Sequence, residues 1–225
     1  MKYYQKYLST CLLAIAALLG GASPAWAQVP LGTASNFAVL GGAGVTCTDS
    51  TITGVVGSLL TVIPTPTCSI VGPTHQGDAT AIQAFTDFAL AYEKLAAVPC
   101  PTDAERNLSG DLGGKVLSPG VYCISGVGLL TSQLTLDGPS DGIWIFKATT
   151  SLTPIGGSVV MAGGGQASNV YWQTGTAVSL DNTDFVGNVL AGSAITFTGV
   201  GSSLVGRALA KTAVTMTGAT VSLGQ

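Results

Sequence analysis

The chain has 225 residues, of which 47% are hydrophobic, only 8% are charged and 31 are glycine. High hydrophobicity with low charge excludes a disordered chain, and eight lysines and arginines are too few for a nucleic-acid-binding surface. One histidine and two glutamates leave little for acid–base catalysis, so the composition indicates a glycine-rich β protein that is not an enzyme.

Residues 1–27 have the pattern of a secretory signal peptide. Two lysines begin the segment, an apolar stretch covers residues 8–19, and Ala25-Trp26-Ala27 forms a small-x-small cleavage site. A membrane anchor is the alternative, but the apolar stretch is shorter than the roughly 20 residues that cross a bilayer. We therefore predict one mature domain at 28–225, which is secreted to the periplasm or the medium and does not bind a membrane.

The cysteines agree with export. Four remain after the signal peptide, and an even number in an exported chain predicts two disulfides. Their grouping along the chain favours Cys47–Cys68 and Cys100–Cys123. A zinc site is the alternative, but the chain has no Cys-x-x-Cys pair and His75 has no partner histidine. We expect no metal and no cofactor.

One long helix is predicted at about residues 76–98, between Pro73 and Pro99. Apolar residues recur there at spacings of three and four, which is the pattern of a helix with one buried side. An isolated helix of this kind is not stable in water, so we expect it to pack along the rest of the protein. The predicted inward stripe consists of Ile82, Phe85, Ala89, Tyr92 and Ala96, and it is widened by Phe88 and Leu95.

The remaining segments indicate β-strands that repeat. Similar apolar strands followed by Thr-rich strands begin at residues 143, 170, 186 and 205, with a fifth copy at 39–48 and a shorter one at 134–137. The intervals of 27, 16 and 19 residues are irregular, which predicts a solenoid whose coils differ in loop length. A β-sandwich is the alternative, but Asn-Gly hairpin signals are missing.

The period of two along a strand predicts which side chains point outward. When the apolar positions of each repeat are placed inside, polar residues form two columns on one flat, nearly uncharged face. Thr46, Thr135, Ser151, Ser179, Thr196 and Thr215 form the first predicted column, and Thr48, Asp137, Thr153, Asp181, Thr198 and Thr217 form the second. The β-propensity of threonine explains single residues, but it does not explain why lysine and glutamate are absent from both columns.

The chain resembles the bacterial and fungal ice-binding protein family. The matching segments, in order, are 31–40, 108–114, 117–122, 134–138, 143–146 and 185–190. The resemblance implies a right-handed, irregular parallel β-helix with three faces, with the N-terminal coil beside the C-terminal coils and one long α-helix alongside. It also implies a Thr-Ala/Gly-x-Thr/Asn motif on the ice-binding face, which Thr212-Ala-Val-Thr215 and Thr217-Gly-Ala-Thr220 match, while 176–179 and 193–196 carry serine at one position.

These observations predict a secreted, monomeric antifreeze protein whose partner is an ice crystal surface and whose activity is thermal hysteresis and inhibition of ice recrystallisation. The predicted ice-binding residues are Thr46, Thr48, Ser151, Thr153, Ser179, Thr196, Thr198, Thr215 and Thr217.

Two other functions stay open. An adhesion or carbohydrate-binding module would need exposed aromatic residues, for which Trp144, Tyr171 and Trp172 are the candidates. A polysaccharide-cleaving enzyme would need a carboxylate pair such as Asp181 and Asp184, or clustered basic residues, and Lys147, Arg207 and Lys211 are too few and too scattered for such a cluster.

Overall fold

The structure is a computed structural model that describes residues 29–224. The predicted signal peptide at 1–27 lies outside the described residues, as do residues 28 and 225. In chain order the strands are β1 Phe37–Gly41, β2 Gly44–Thr48, β3 Thr51–Thr53, β4 Val55–Ser58, β5 Thr61–Pro64, β6 Ser69–Val71, β7 Thr74–Gln76, β8 Asn107–Asp111, β9 Val116–Leu117, β10 Gly120–Leu130, β11 Gln133–Asp137, β12 Trp144–Ala148, β13 Leu152–Pro154, β14 Ser158–Ala162, β15 Val170–Thr174, β16 Val178–Asp181, β17 Asp184–Ala191, β18 Ile195–Thr198, β19 Ser203–Ala210, β20 Ala213–Thr217 and β21 Thr220–Ser222. One α-helix, α1 Ala79–Ala97, lies between β7 and β8.

The strands pair in parallel and form three ladders, which are the three faces of a β-solenoid. Face A has the order β7-β4-β1-β19-β17-β15-β12-β10-β8. Face B has the order β5-β2-β20-β18-β16-β13-β10-β8. Face C has the order β6-β3-β21-β19-β17-β14-β11-β9. Strands β8, β10, β17 and β19 each belong to the ladders of two faces. The predicted parallel β-solenoid is confirmed.

The coils do not stack in chain order. Strand β1 pairs with β4 on one side and with β19 on the other. The N-terminal coils, residues 37–76, therefore extend the stack beyond its C-terminal coil. Helix α1 then takes the chain along face A to β8, at the opposite end of the stack. This is the arrangement that the family resemblance predicts.

The interior is a column of large apolar side chains between the three faces. Four aromatic rings stack along it, with centroid separations of 5.3 Å between Tyr122 and Phe146, 3.9 Å between Phe146 and Trp172, and 4.8 Å between Trp172 and Phe185. The indole N–H groups of Trp144 and Trp172 donate to backbone carbonyls, as buried indoles require. The adhesion hypothesis therefore loses its aromatic candidates, because Trp144, Tyr171 and Trp172 are all buried.

Helix α1 packs on face A, but through a stripe that differs from the predicted one. Of the five central predicted residues, Tyr92 is buried, Phe85 and Ala89 are half-buried, and Ile82 and Ala96 are exposed. The two residues predicted to widen the stripe, Phe88 and Leu95, are fully buried. The helix is apolar on much of its circumference, so two stripes compete in the sequence. The small Ala81, Ala84 and Ala91 let the helix backbone approach the sheet, and this selects the stripe. The buried residues are Ala81, Ala84, Phe88, Ala91, Tyr92 and Leu95.

Polar contacts fix the helix at both ends and near its middle. The carboxylate of Asp78 accepts a hydrogen bond from the Ala81 N–H and caps the first turn. The backbone N–H and the hydroxyl of Thr33 each donate to Asp87 at 2.7 Å, and they hold the pKa of that carboxyl below its usual value. At the other end, the Lys147 ammonium donates to the Ala96 carbonyl at 2.9 Å and to the Val98 carbonyl.

Two disulfides connect neighbouring parts of the stack. Cys47 is joined to Cys68 with a Cα–Cα distance of 5.6 Å, and Cys100 is joined to Cys123 with one of 5.8 Å. These are the two pairings that the grouping of cysteines favours. Among residues 29–224 no three side chains of the types that bind metals lie close enough to share an ion. In the same range no helix has the length and hydropathy needed to span a membrane.

Candidate functional site

The corner that leads from face A into face B is tight, and glycine makes it possible. A Cβ atom on Gly42 would lie 2.2 Å from the Lys211 carbonyl oxygen, one on Gly175 would lie 2.2 Å from that of Thr149, and one on Gly192 would lie 2.3 Å from that of Gly175. The coils therefore turn at the same place and on top of one another. The strands of face B consequently begin in register.

The register of face B places threonines side by side on three neighbouring strands. Thr46 pairs with Thr215, and Thr215 pairs with Thr196. The second column places Thr48 opposite Thr217, with Thr198 beside it in the same register. The residues between them point inward and have no exposed surface, as the period of two predicts: Val45, Cys47, Ile195, Phe197, Val214 and Met216.

Strand β16 extends both columns. Ser179 pairs with Thr196 and Asp181 pairs with Thr198, so both residues lie where the sequence places them. Ser179 and Asp181 are half-exposed. The structure thus brings together the predicted residues of β2, β16, β18 and β20 on one face.

The prediction for β13 is wrong by two positions. Leu152 pairs with Val178, which puts Thr153 beside Ser179 in the first column rather than in the second. Ser151 lies beside Ala177, outside both predicted columns. Ile155, which the sequence analysis does not select, pairs with Asp181 in the second column. The similarity of Ser151-Leu152 to Ser179-Leu180 suggests a register that is shifted by two residues. The corner before β13 has the same length as that of the neighbouring coil, since Ala148 pairs with Thr174 and Leu152 pairs with Val178.

The prediction for β11 is wrong about the face. Thr135 pairs with Val116 and Val160, and Asp137 pairs with Ala162. Both residues therefore lie on face C and are not part of either column. An isolated Thr-x-Asp strand carries no sign of which side of a three-sided coil it forms, and pairing alone decides this.

Face B contains further outward residues that sequence reasoning missed. Leu129 pairs with Thr153 and with Asp111, and it continues the first column. Thr131 follows Leu130, which pairs with Pro154, and so adjoins Ile155 in the second column. A third column of small residues runs beside the first one. It contains Gly44 and Ser151 together with Ala177, Ala194 and Ala213, and the period of two already predicts the place of these three alanines beside the columns.

The charge of face B is low. Its outward positions among the described residues include no lysine or arginine, and only two carboxylates, Asp111 and Asp181. Asp111 lies at the far end of the face, where the Thr131 hydroxyl, the Gly113 N–H and the Thr131 N–H donate to it. These bonds lower the pKa of Asp111. Asp181 is therefore the one charge inside the Thr columns of the described chain.

The arrangement of the other candidates does not favour an enzyme. Asp181 is on face B and Asp184 is on face C, so these carboxylates do not flank one cleft. Lys147 binds the end of helix α1. Arg207 donates to the Ser35 carbonyl and to the Asn188 side chain, and Lys211 pairs with Glu93 at 2.8 Å. All three basic residues thus make contacts within the fold.

The similarity to known proteins extends over most of the chain. The model of the family described as Ice-binding-like matches residues 26–222. The chain belongs to the ice-binding-like family. This confirms the resemblance predicted from the sequence.

Relatives of this ice-binding-like protein include an ice-binding protein of Nostoc sp. (strain HG1), which is 41% identical over 176 residues, covering 75% of this chain and 64% of that protein. The ice-binding protein of Flavobacterium frigoris (strain PS1) is 34% identical over 184 residues, covering 74% of this chain and 66% of that protein. The chain therefore spans slightly less than two thirds of these two relatives.

A solved structure supports the same relationship. The crystal structure of an ice binding protein from an Antarctic Biological Consortium superposes with a TM-score of 0.82 at 36% identity, covering 88% of this chain and 92% of that one. The ice-binding-like fold described above is thus found in an experimentally determined relative.

Proposed function

We propose that this protein adsorbs to ice through face B, which gives thermal hysteresis and inhibits ice recrystallisation. The observation that carries the proposal is the pair of threonine columns in register on β2, β20 and β18. The names of the relatives, which describe ice-binding proteins, point in the same direction.

The spacing of the two columns suits an ordered water layer. Neighbouring strands lie about 4.8 Å apart, and alternate residues along a strand lie about 6.6–6.8 Å apart. These intervals are close to oxygen–oxygen repeats in hexagonal ice. The threonine methyl groups favour caged water, and the hydroxyl groups hold that layer by hydrogen bonds.

Rigidity makes the face ready for binding. Threonine is stiff about its first side-chain torsion because it is β-branched. The strands beneath the columns are anchored by buried residues such as Phe197 and Met216. A mobile surface would lose conformational entropy when it adsorbed to ice, and this loss would weaken binding. A rigid face loses little entropy when it binds.

The proposed ice-binding residues are those predicted from the sequence, but two of them occupy other columns than predicted. Thr153 contributes to the first column, and Ser151 contributes to the third column at the edge of the face. The central residues are Thr46, Thr48, Ser179, Thr196, Thr198, Thr215 and Thr217. We further propose that residues 1–27 direct export, and that 28–225 act as one secreted, monomeric, non-enzymatic domain without a cofactor.

The test is ice-affinity partitioning and thermal hysteresis of the chain 28–225 with its disulfides formed. Thr196→Tyr and Thr215→Tyr each place a bulky ring in the grid, and we expect both variants to lose most of the hysteresis. Surface changes alter stability by about 0.5 kcal/mol or less. The melting temperature should therefore barely change.

The matched control is Thr86→Tyr, on the exposed side of helix α1 and away from face B. It makes the same chemical change and should keep full activity. If the control loses activity while the two face B variants keep it, face B is the wrong face. If the unmodified chain neither partitions into ice nor shows hysteresis, the proposed function fails.

A further inference from the structure

Asp181 interrupts a column that is otherwise uncharged. On one side of it the second column contains Thr198, Thr217 and Thr48. On the other side it contains Ile155 and then Thr131. The neighbouring first column continues past the same level without a charge, from Thr46 through Ser179 and Thr153 to Leu129.

A carboxylate at position 181 disfavours an ice-like arrangement of the water molecules above the column. An ionised carboxylate binds water strongly, and removing that water without a compensating partner is costly. Within residues 29–224 the ion pairs are those of Asp78 with His75 and of Glu93 with Lys211, so no cation offsets the charge of Asp181. The uncharged second column is therefore divided into two parts.

The Asp181 side chain contributes little to the fold. It lies over Gly199, where a Cβ atom would stand 2.2 Å from its Oδ1 atom. No N–H or O–H group of the described residues donates to its carboxylate. The strand is instead held by inward Val178 and Leu180, which have 1% and 0% exposure. A neutral side chain at 181 should thus leave the coil intact.

We propose that Asp181 limits the length of the ice-binding grid, a proposal that rests on the proposed function of face B. The uncharged run from Thr48 to Thr198 covers two strand intervals, or about 10 Å at about 4.8 Å per strand. With threonine at 181 the run continues to Thr131 over five intervals, or about 24 Å. A longer grid binds more of the water layer at once and detaches more slowly.

The experiment compares thermal hysteresis of Asp181→Thr and Asp181→Asn with that of the unmodified chain 28–225. At equal molar concentration we expect Asp181→Thr to raise hysteresis about twofold, because the uncharged column grows from three strands to six. Asp181→Asn keeps the shape of the side chain and should give a smaller increase. Circular dichroism and melting temperature check that both variants fold.

The matched control is Asp184→Asn. It removes the same charge three residues away, on face C, where the carboxylate accepts a hydrogen bond of 2.6 Å from the Ser203 hydroxyl. Hysteresis should not change in this variant. An equal increase in the control would assign the effect to net charge and overturn the proposal.

Two further outcomes separate this proposal from the proposed function. Suppose that the unmodified chain partitions into ice, that Thr215→Tyr abolishes hysteresis, and that folded Asp181 variants show no increase. The role of Asp181 is then wrong while face B remains the ice-binding face. If the unmodified chain does not bind ice, the proposed function itself fails.

Discussion

Phe88 should be the residue of helix α1 whose loss destabilises the protein most. Its side chain is fully buried, and its ring meets those of Phe85 and Tyr92 edge to face, with centroid separations of 5.6 Å and 6.3 Å. Replacing a buried phenylalanine with alanine removes its transfer free energy and leaves a cavity, which together cost about 3–5 kcal/mol. We therefore expect Phe88→Ala to lower the free energy of unfolding by that amount.

The expected change is large enough to measure by thermal unfolding followed by circular dichroism. For a domain of this size, about 1 kcal/mol corresponds to about 2–4 °C, so the melting temperature should fall by about 6–20 °C. Thermal hysteresis is measured near the freezing point, where the variant is still folded. It should stay unchanged there, because face B is a different face of the solenoid from face A, which α1 covers.

Ile82→Ala is the matched comparison for Phe88→Ala. The Ile82 side chain is 52% exposed, although the spacing of apolar residues places it in the inward stripe. Its truncation should change stability by only about 0.5 kcal/mol, as is usual for surface positions. If Ile82→Ala destabilises the protein as much as Phe88→Ala, the rotation of the helix described above is wrong. If folded Phe88→Ala loses hysteresis, the helix has a role in ice binding.

Two further predictions concern the Cys47–Cys68 disulfide and Asp87. The double replacement Cys47→Ala, Cys68→Ala opens a loop with a sequence separation of 21 and should lower the free energy of unfolding by about 3 kcal/mol in chemical denaturation; an unchanged midpoint would show that the bond adds no stability. Asp87 has a lowered pKa because Thr33 donates to it, so its contribution to stability is present above its unfolded pKa of about 3.9 and is lost as the pH falls through the folded value. Asp87→Asn should accordingly reduce stability near pH 7, with the difference from the unmodified chain disappearing on acidification, and a difference that grows in acid would contradict this sign.

The central threonine columns could be predicted because each of their strands carries two independent signals. In Thr46-Cys47-Thr48, Thr196-Phe197-Thr198 and Thr215-Met216-Thr217, an inward residue is flanked by outward threonines. A similar apolar strand and a corner of the same length precede each of the three. Local pattern and corner therefore agree, and the face and the register both follow.

Where these signals are incomplete or disagree, the prediction fails. Strand β11 has an alternating pattern but no matching corner, and Thr135 is found on face C. Strand β13 follows a corner of the usual length, but the similarity of Ser151-Leu152 to Ser179-Leu180 suggests another register, and Thr153 moves from the second column to the first. For helix α1 the apolar spacing allows two rotations, and contact with face A selects the one that exposes Ile82. Each failure concerns a choice that long-range packing makes, not the local sequence.

The order of the coils places the proposed grid across two distant parts of the chain. Thr46 and Thr215 are neighbours although they lie 169 positions apart in the chain. The grid thus crosses the junction between the N-terminal coils and the C-terminal coil, and it forms only when these parts of the chain have paired.

Strand β2 would be the edge of the stack if the chain turned into the helix directly after the first coil. Instead β5 covers it, with Gly44 opposite Thr61 and Thr46 opposite Ile63. Strand β5 carries Pro64, a residue that suits an edge because it has no N–H group to offer another strand. The disulfide from Cys47 then ties β2 to the segment after β5. The exposed edge of face B is thus β5, and all three strands that carry paired threonines have a paired strand on each side.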